Sequence, residues 1–347
     1  MDIATLIFLS SGLFLGWSLG ANDAANVFGS AVGSKMVRFK TAAIICSIFV
    51  ILGAVISGAG ASHTLGALGS VSAIGGAFTV ALSAAVTVFV MTRAGIPVST
   101  GQAIVGAIIG WNFFSNLVTD SSVLTKIVST WVICPILSAF IAVGLYKAVT
   151  IGLEKARPGL FQLDNWTRIG LIGAGAFGAY SLGANNIANV MGVFVSSSPF
   201  ESFSTMGFSV TSTMQLFFLG GVAIAVGVFT YSKKVMMTVG SSLIPMTPVT
   251  AWVVVMAHSI TLFVFSSVTL SNFVASLGLP AIPLVPVSSS QAVIGAVIGI
   301  GLYRRLSITW SNIGRIVVGW IVTPFISMLI CILGLYLVQN LFHQVVN

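Results

Sequence analysis

The sequence predicts an all-α membrane protein made of two inverted repeats, each of about five crossings. Two observations carry that reading. Apolar runs of roughly 20 residues recur along the whole chain, each long enough to cross about 30 Å of hydrocarbon. Two signatures of the first half also return, in the same order, in the second. Residues 18–29 read SLGANDAANVFG and residues 181–192 read SLGANNIANVMG. Residues 97–110 read PVSTGQAIVGAIIG and residues 286–299 read PVSSSQAVIGAVIG. Trp131 with Pro135 and Trp320 with Pro324 form a third echo. Chance similarity between apolar segments does not supply a shared Gly-Ala-Asn and a shared Pro-Val-Ser followed by Gln.

The runs lie near 4–30, 41–61, 72–92, 96–116, 127–149, 169–194, 208–230, 240–270, 282–303 and 316–341. Several contain Gly, Pro and Ser clusters, which mark broken helices or re-entrant hairpins, so the expected count is 10–12 segments. Residues 1–150 form the first repeat, 151–168 a cytoplasmic connecting loop and 169–347 the second repeat. Of the 347 residues, 57% are hydrophobic and only 6% charged, too few charges for the surface of a soluble domain of this size. The 37 glycines suit close helix packing in lipid. Cys46, Cys134 and Cys331 lie inside apolar runs and read as small core residues. After Asp2 the N-terminus is apolar, without a basic leader or a small-residue cleavage site, and reads as the first membrane helix.

The formal net charge of +8 is spread over short loops between apolar runs. That distribution makes no continuous basic face and excludes nucleic-acid binding. It does set the direction of insertion, because Lys and Arg accumulate in cytoplasmic loops. With the N-terminus outside, Lys35, Arg38, Lys40, Arg93, Lys147, Lys155, Arg157, Arg168, Lys233, Lys234, Arg304, Arg305 and Arg315 are all cytoplasmic. Lys126 falls outside, with Asp2, Asp120 and Glu201. The expectation is a multi-pass protein of the inner (plasma) membrane with both termini outside. An odd number of crossings per half inverts the second copy. Inverted repeats place two equivalent broken elements around a midplane site, and rocking then opens that site to alternate sides.

Asp23 is the acidic residue that falls inside a membrane run, where an ionised Asp costs about 2.5–3.5 kcal/mol on insertion scales. Asn22 and Asn26 share a helix face at i, i+4. A helix break at Gly20 would let side-chain oxygens and freed carbonyls converge on a hard cation such as sodium. Asn185, Asn186 and Asn189 occupy the matching positions of the second copy; interhelical hydrogen bonds are their other reading. The second constellation is Pro97-Val98-Ser99-Thr100-Gly101-Gln102 with its partner Pro286-Val287-Ser288-Ser289-Ser290-Gln291. Proline suits a first helical turn and Ser or Thr an N-cap. Half-helices starting here would aim free N–H groups and hydroxyls into the membrane interior and enclose an anion without Lys or Arg. Hydroxyls bonded only to their own helix are the alternative.

Other features carry less. His63, His258 and His343 lack metal-ligand spacing and read as loop or helix-end residues. Lys233 and Lys234 read as interfacial anchors, and the stretch 240–248 as a helix break. There is no Walker loop, Rossmann fingerprint or nucleophile elbow, so neither an enzyme nor a resident cofactor is expected.

GANDAAN at 20–26, its copy at 183–189 and the paired Pro-Val-Ser segments resemble the inorganic phosphate transporter family of ion-coupled symporters, over nearly the whole chain. The resemblance implies symport of phosphate with Na+ or H+ across the bilayer. Asn22, Asp23 and Asn26 would be ion ligands, with Asn185, Asn186 and Asn189 as counterparts; sodium would sit at Asp23, Asn22 and Asn186. Ser99, Thr100, Ser288, Ser289 and Ser290 would face the anion, beside Gly101, Gln102 and Gln291. This chain departs from the family pattern. Asn186 stands where a second Asp is usual, Gly101-Gln102 and Ser290-Gln291 stand where Thr-His is usual, and a long soluble central loop is missing. Hydrogen phosphate carries a proton donor, whereas sulfate has only acceptors. A site with one carboxylate and two histidines fewer is richer in neutral donors, which keeps sulfate open as the alternative cargo. A homodimer is a further expectation, as many membrane carriers form one.

Overall fold

The computed structural model describes residues 3–69, 71–93, 98–205, 208–239 and 246–346. Asp2, Pro97 and residues 240–245 of the expected break lie outside them. The first half contains α1 (Ile3–Gly33), α2 (Phe39–Ser57), α3 (Ala59–Leu68), α4 (Ile74–Arg93), α5 (Thr100–Phe114) and α6 (Ser121–Ala156). The second contains α7 (Leu160–Met191), a short antiparallel hairpin of β1 (Phe203–Thr205) and β2 (Phe208–Val210), α8 (Ser212–Thr230), α9 (Ser232–Val239), α10 (Pro248–Val264), α11 (Val268–Ser276), α12 (Ser289–Tyr303) and α13 (Trp310–Asn340).

Six described helices are long and apolar enough to cross a membrane: α1, α2, α4, α6, α8 and α13. The pair α10–α11, bent by 71°, makes a seventh if it is one broken span. α7 is 32 residues long, with its apolar stretch diluted by glycines and by the Asn185–Asn186 pair. α5 and α12 have 15 residues each, about 22 Å of helix, which is short of the hydrocarbon thickness. They are half-helices, each entered through non-helical backbone at Val98–Ser99 and at Val287–Ser288. The outer faces of α6 and α13 present Phe140 and Leu333 outward, as lipid-facing surfaces do.

Two expectations are corrected. The connecting loop expected over 151–168 is helical except at 157–159. α6 runs on to Ala156 because Leu153, Glu154, Lys155 and Ala156 are strong helix formers. It stops where Pro158 disfavours helical geometry in the preceding residue, and Arg157 turns left-handed with φ 45°. Polar composition marked this segment as leaving the apolar layer, not as leaving the helix. The break considered at Gly20 is also absent, since α1 is continuous through the motif. Gly20 instead lets another backbone pass: a Cβ there would collide with the carbonyl of Ile224 on α8.

The packing repeats itself across the halves. α2 lies against α7 and α8 against α1; α5 lies against α13 and α12 against α6; α4 packs on α1 and α10 on α7. A Cβ at Gly183 would strike the Val50 carbonyl, matching Gly20 and Ile224. A Cβ at Gly106 of α5 would strike the Pro324 carbonyl, and one at Gly295 of α12 the Pro135 carbonyl. The repeated prolines thus sit where the half-helices cross α13 and α6. Each lacks the N–H that would bond the carbonyl four residues back, which belongs to Trp320 or Trp131. Where α12 ends against the C-terminal part of α6, Lys147 lies over the ring of Tyr303 at 5.2 Å and Arg304 over that of Tyr146 at 5.5 Å. Lys233 lies 5.9 Å from the ring of Phe39. Cations paired with aromatic rings suit a membrane–water interface.

Candidate functional site

On α1, Asp23 is only 3% exposed. Its Oδ1 accepts from Asn22 Nδ2 at 2.9 Å. Among the described residues the salt-bridge geometry is met by Arg168 and Asp164, on the exposed start of α7, and not by Asp23. One turn on, Asn26 Nδ2 donates to Ser289 Oγ at 2.9 Å. This bond crosses from the first half to the start of α12 in the second.

Both half-helices begin as the hydroxyl pattern predicts. Ser99 and Ser288 are N-caps in extended conformation, and each side chain accepts from the backbone N–H three residues on, Gln102 or Gln291, at 3.3 Å. Ser288 and Ser290 share a hydrogen bond of 3.0 Å. These caps are buried, so the remaining N–H groups of each first turn point into the protein. Gly101 faces α7: a Cβ on it would lie 3.4 Å from Asn189 Nδ2 and 3.7 Å from Ser99 Oγ. The second-half amide motif therefore flanks the first-half half-helix, as Asn26 flanks α12.

The three asparagines of α7 divide their work. Asn185 donates to the Val285 carbonyl at 3.1 Å and accepts from Val287 N–H at 2.8 Å, holding the extended segment that leads into α12. Asn189 Nδ2 donates to Asn186 Oδ1 at 3.0 Å. Several buried atoms of this constellation have no hydrogen-bond partner among the described residues: Thr100 Oγ1, Gln102 Oε1, Gln291 Oε1, Asn186 Nδ2 and Asn189 Oδ1. A buried polar atom left unpaired costs about 1–3 kcal/mol. Their concentration beside two helix starts leaves hydrogen-bonding capacity there that no described side chain or backbone group uses. The hydroxyl and amide N–H groups suit an anion, and the amide and carboxylate oxygens suit a hard cation. Among the described residues, no three of His, Cys, Asp and Glu gather as a metal-binding group.

One residue of this region was misplaced by sequence reasoning. His258 is not a loop or helix-end residue: it lies in the body of α10, fully buried, with Nε2 2.9 Å from Ser289 Oγ. Ligand spacing could not reveal it, because its partner is 31 positions away. The available signal was a titratable side chain inside an apolar run. His63 also lies within a helix, in the middle of the short α3, whereas His343 is in the irregular tail after α13, as expected.

Long apolar helices, half-helices capped in the interior and a reciprocal two-half architecture define a multi-pass membrane transport protein. Sequence comparison gives its family. The chain belongs to the phosphate transporter family, whose family model matches residues 19–162, 153–331 and 279–345; this is a family of transporters, not of enzymes. It is 25% identical to "Putative phosphate permease" of Thermococcus kodakarensis, over 95% of this chain and 96% of that protein. It is 28% identical to the sulfate permease CysP of Bacillus subtilis, over 99% of this chain and 88% of the relative. Among solved structures, a sodium-dependent phosphate transporter shares the fold, with a TM-score of 0.75 and 20% identity, over 97% of this chain and 99% of that one.

Proposed function

We propose that the protein is a cation-coupled inorganic phosphate symporter that works by alternating access in the inner membrane. The observation that carries this reading is the exchange of motifs between halves. Asn26 of α1 bonds the first residue of α12, while Asn189 of α7 lies against the first turn of α5. Each anion-binding helix start is thereby tied to the other half's amide motif. Movement of one half against the other must then reshape both half-sites together. The oxyanion would be held by Ser99, Thr100, Ser288, Ser289 and Ser290 with first-turn N–H groups, beside Gly101, Gln102 and Gln291. The coupling cation would sit at Asp23 with Asn22, Asn26 and the Asn186–Asn189 pair. Sodium is the first reading, because carboxylate and amide oxygens, which these side chains carry, suit a hard cation. Protonation of Asp23 is the alternative.

Sulfate is a second reading of the cargo, and two observations favour it. The identity to a sulfate permease spans 99% of the chain. Asn186, in place of a second carboxylate, has an unpartnered donor in Nδ2. Sulfate, which only accepts hydrogen bonds, can use that donor. Uptake of labelled phosphate and sulfate into proteoliposomes, under separately imposed sodium and proton gradients, tests both readings. Phosphate accumulation driven by sodium is expected. Preference for sulfate replaces the cargo, response to the proton gradient alone replaces the cation, and uptake of either anion indifferent to both gradients overturns symport.

A further inference from the structure

His258 belongs to neither repeated motif, yet it reaches the start of α12. Its Nε2 and Asn26 Nδ2 both lie 2.9 Å from Ser289 Oγ, so this one hydroxyl joins α1, α10 and α12. Its Nδ1 is buried without a partner among the described residues. A serine hydroxyl has one proton to give and two lone pairs to accept with. Asn26 fills one lone pair, and two arrangements remain. If Nε2 carries no proton, Ser289 donates to it, and a buried Nδ1–H is left with nothing to bond. If Nε2 carries the proton, Ser289 accepts twice and Nδ1 is left as a bare acceptor. Buried donors without acceptors are the rarer defect in proteins, which selects the second arrangement.

Both lone pairs of Ser289 are then occupied, and its own proton has no acceptor among the described residues. That proton is left for an incoming group. It lies on the first residue of α12, where backbone N–H groups also lack intrahelical partners. We infer that His258 is a positioning residue for the anion: with Asn26 it holds the Ser289 hydroxyl as a hydrogen-bond donor to the transported oxyanion. The corresponding hydroxyl of the first half, Thr100 Oγ1, has no partner among the described residues. The two half-sites therefore differ, with one hydroxyl held from two neighbouring helices and the other unheld. This inference rests on the reading that the site carries an oxyanion.

The test is uptake kinetics in proteoliposomes with phosphate and sulfate as probes. It compares wild type, His258→Leu, His258→Gln, Ser289→Ala and the Ser289→Ala/His258→Leu double variant. Gln can present an N–H near the position of Nε2; Leu cannot. His258→Leu should raise KM for the transported anion about tenfold, equivalent to about 1.4 kcal/mol, with maximal rate within about twofold of wild type. His258→Gln should recover most of the loss, and His258→Leu should add little to Ser289→Ala. A merely structural role gives a different result: equal KM effects with and without Ser289, Leu and Gln indistinguishable, or a fall in maximal rate at unchanged KM. Any of these overturns the inference. If His258→Leu does not fold, His258→Asn takes its place; its shorter amide stops short of Ser289 and should show the same raised KM. Wild-type protein that moves neither anion refutes the transport reading itself. Normal wild-type uptake with unaltered KM in the variants refutes only the role of His258.

Discussion

Asp23 concentrates the electrostatic cost of this membrane core in one side chain. Its carboxylate is held by a neutral amide, so an arriving cation would relieve a charge that no described residue pairs. Asp23→Asn keeps the shape and removes the charge. It should abolish most gradient-driven uptake, while the thermal midpoint in detergent holds or rises, since an unpaired buried charge is gone. Uptake that survives the change would exclude Asp23 as the coupling group. Asp120 shows the opposite case, a carboxylate at the water-exposed start of α6. The Ser122 hydroxyl and then the Val123 and Ser122 backbone N–H groups hold its carboxyl below the usual range. A group with a depressed folded-state pKa contributes above its unfolded value, near 3.9, and the contribution vanishes as pH falls through the folded value. Asp120→Asn should therefore flatten the acid side of the stability profile, read as thermal midpoint between about pH 3 and 7, and change little at neutral pH because Asn also caps helices well.

At the scale of elements, the half-helices depend on glycine-to-carbonyl crossings. Gly106→Ala and Gly295→Ala each drive a methyl into a proline carbonyl of α13 or α6. Overpacking of this kind costs about 1–3 kcal/mol. The two variants should lower the thermal midpoint by similar amounts, and a large difference would deny the equivalence of the crossings. This scale also shows what the sequence could tell. The starts of α5 and α12 were legible because N-capping is local: Ser99 and Ser288 announce themselves through residues three positions away. The continuity of α1 was not, because whether a glycine breaks a helix or admits a neighbour depends on what packs there, and Ile224 is remote in sequence. The helical extension of α6 was hidden for a related reason, as hydropathy tells where lipid ends and not where hydrogen bonding ends. His258 escaped because a three-helix junction has no sequence spacing.

For the whole molecule, repetition gave the architecture, and the contacts between halves gave the rest. The proposed orientation, with both termini outside, has a clean test because Cys46, Cys134 and Cys331 are all buried. A membrane-impermeant maleimide should label Lys126→Cys in intact cells and Lys35→Cys only after permeabilisation; the reverse pattern would invert the topology. The reciprocal packing also bears on how the chain is made. The partners of α2, α5 and α6 are α7, α13 and α12, all synthesised later. The first half must wait in the bilayer with its glycine-lined faces and the Asn26 amide uncovered until translation is nearly complete. Newly made chains crowded together during that wait can complete one another instead of themselves, so trafficking of this protein depends on keeping unfinished copies apart.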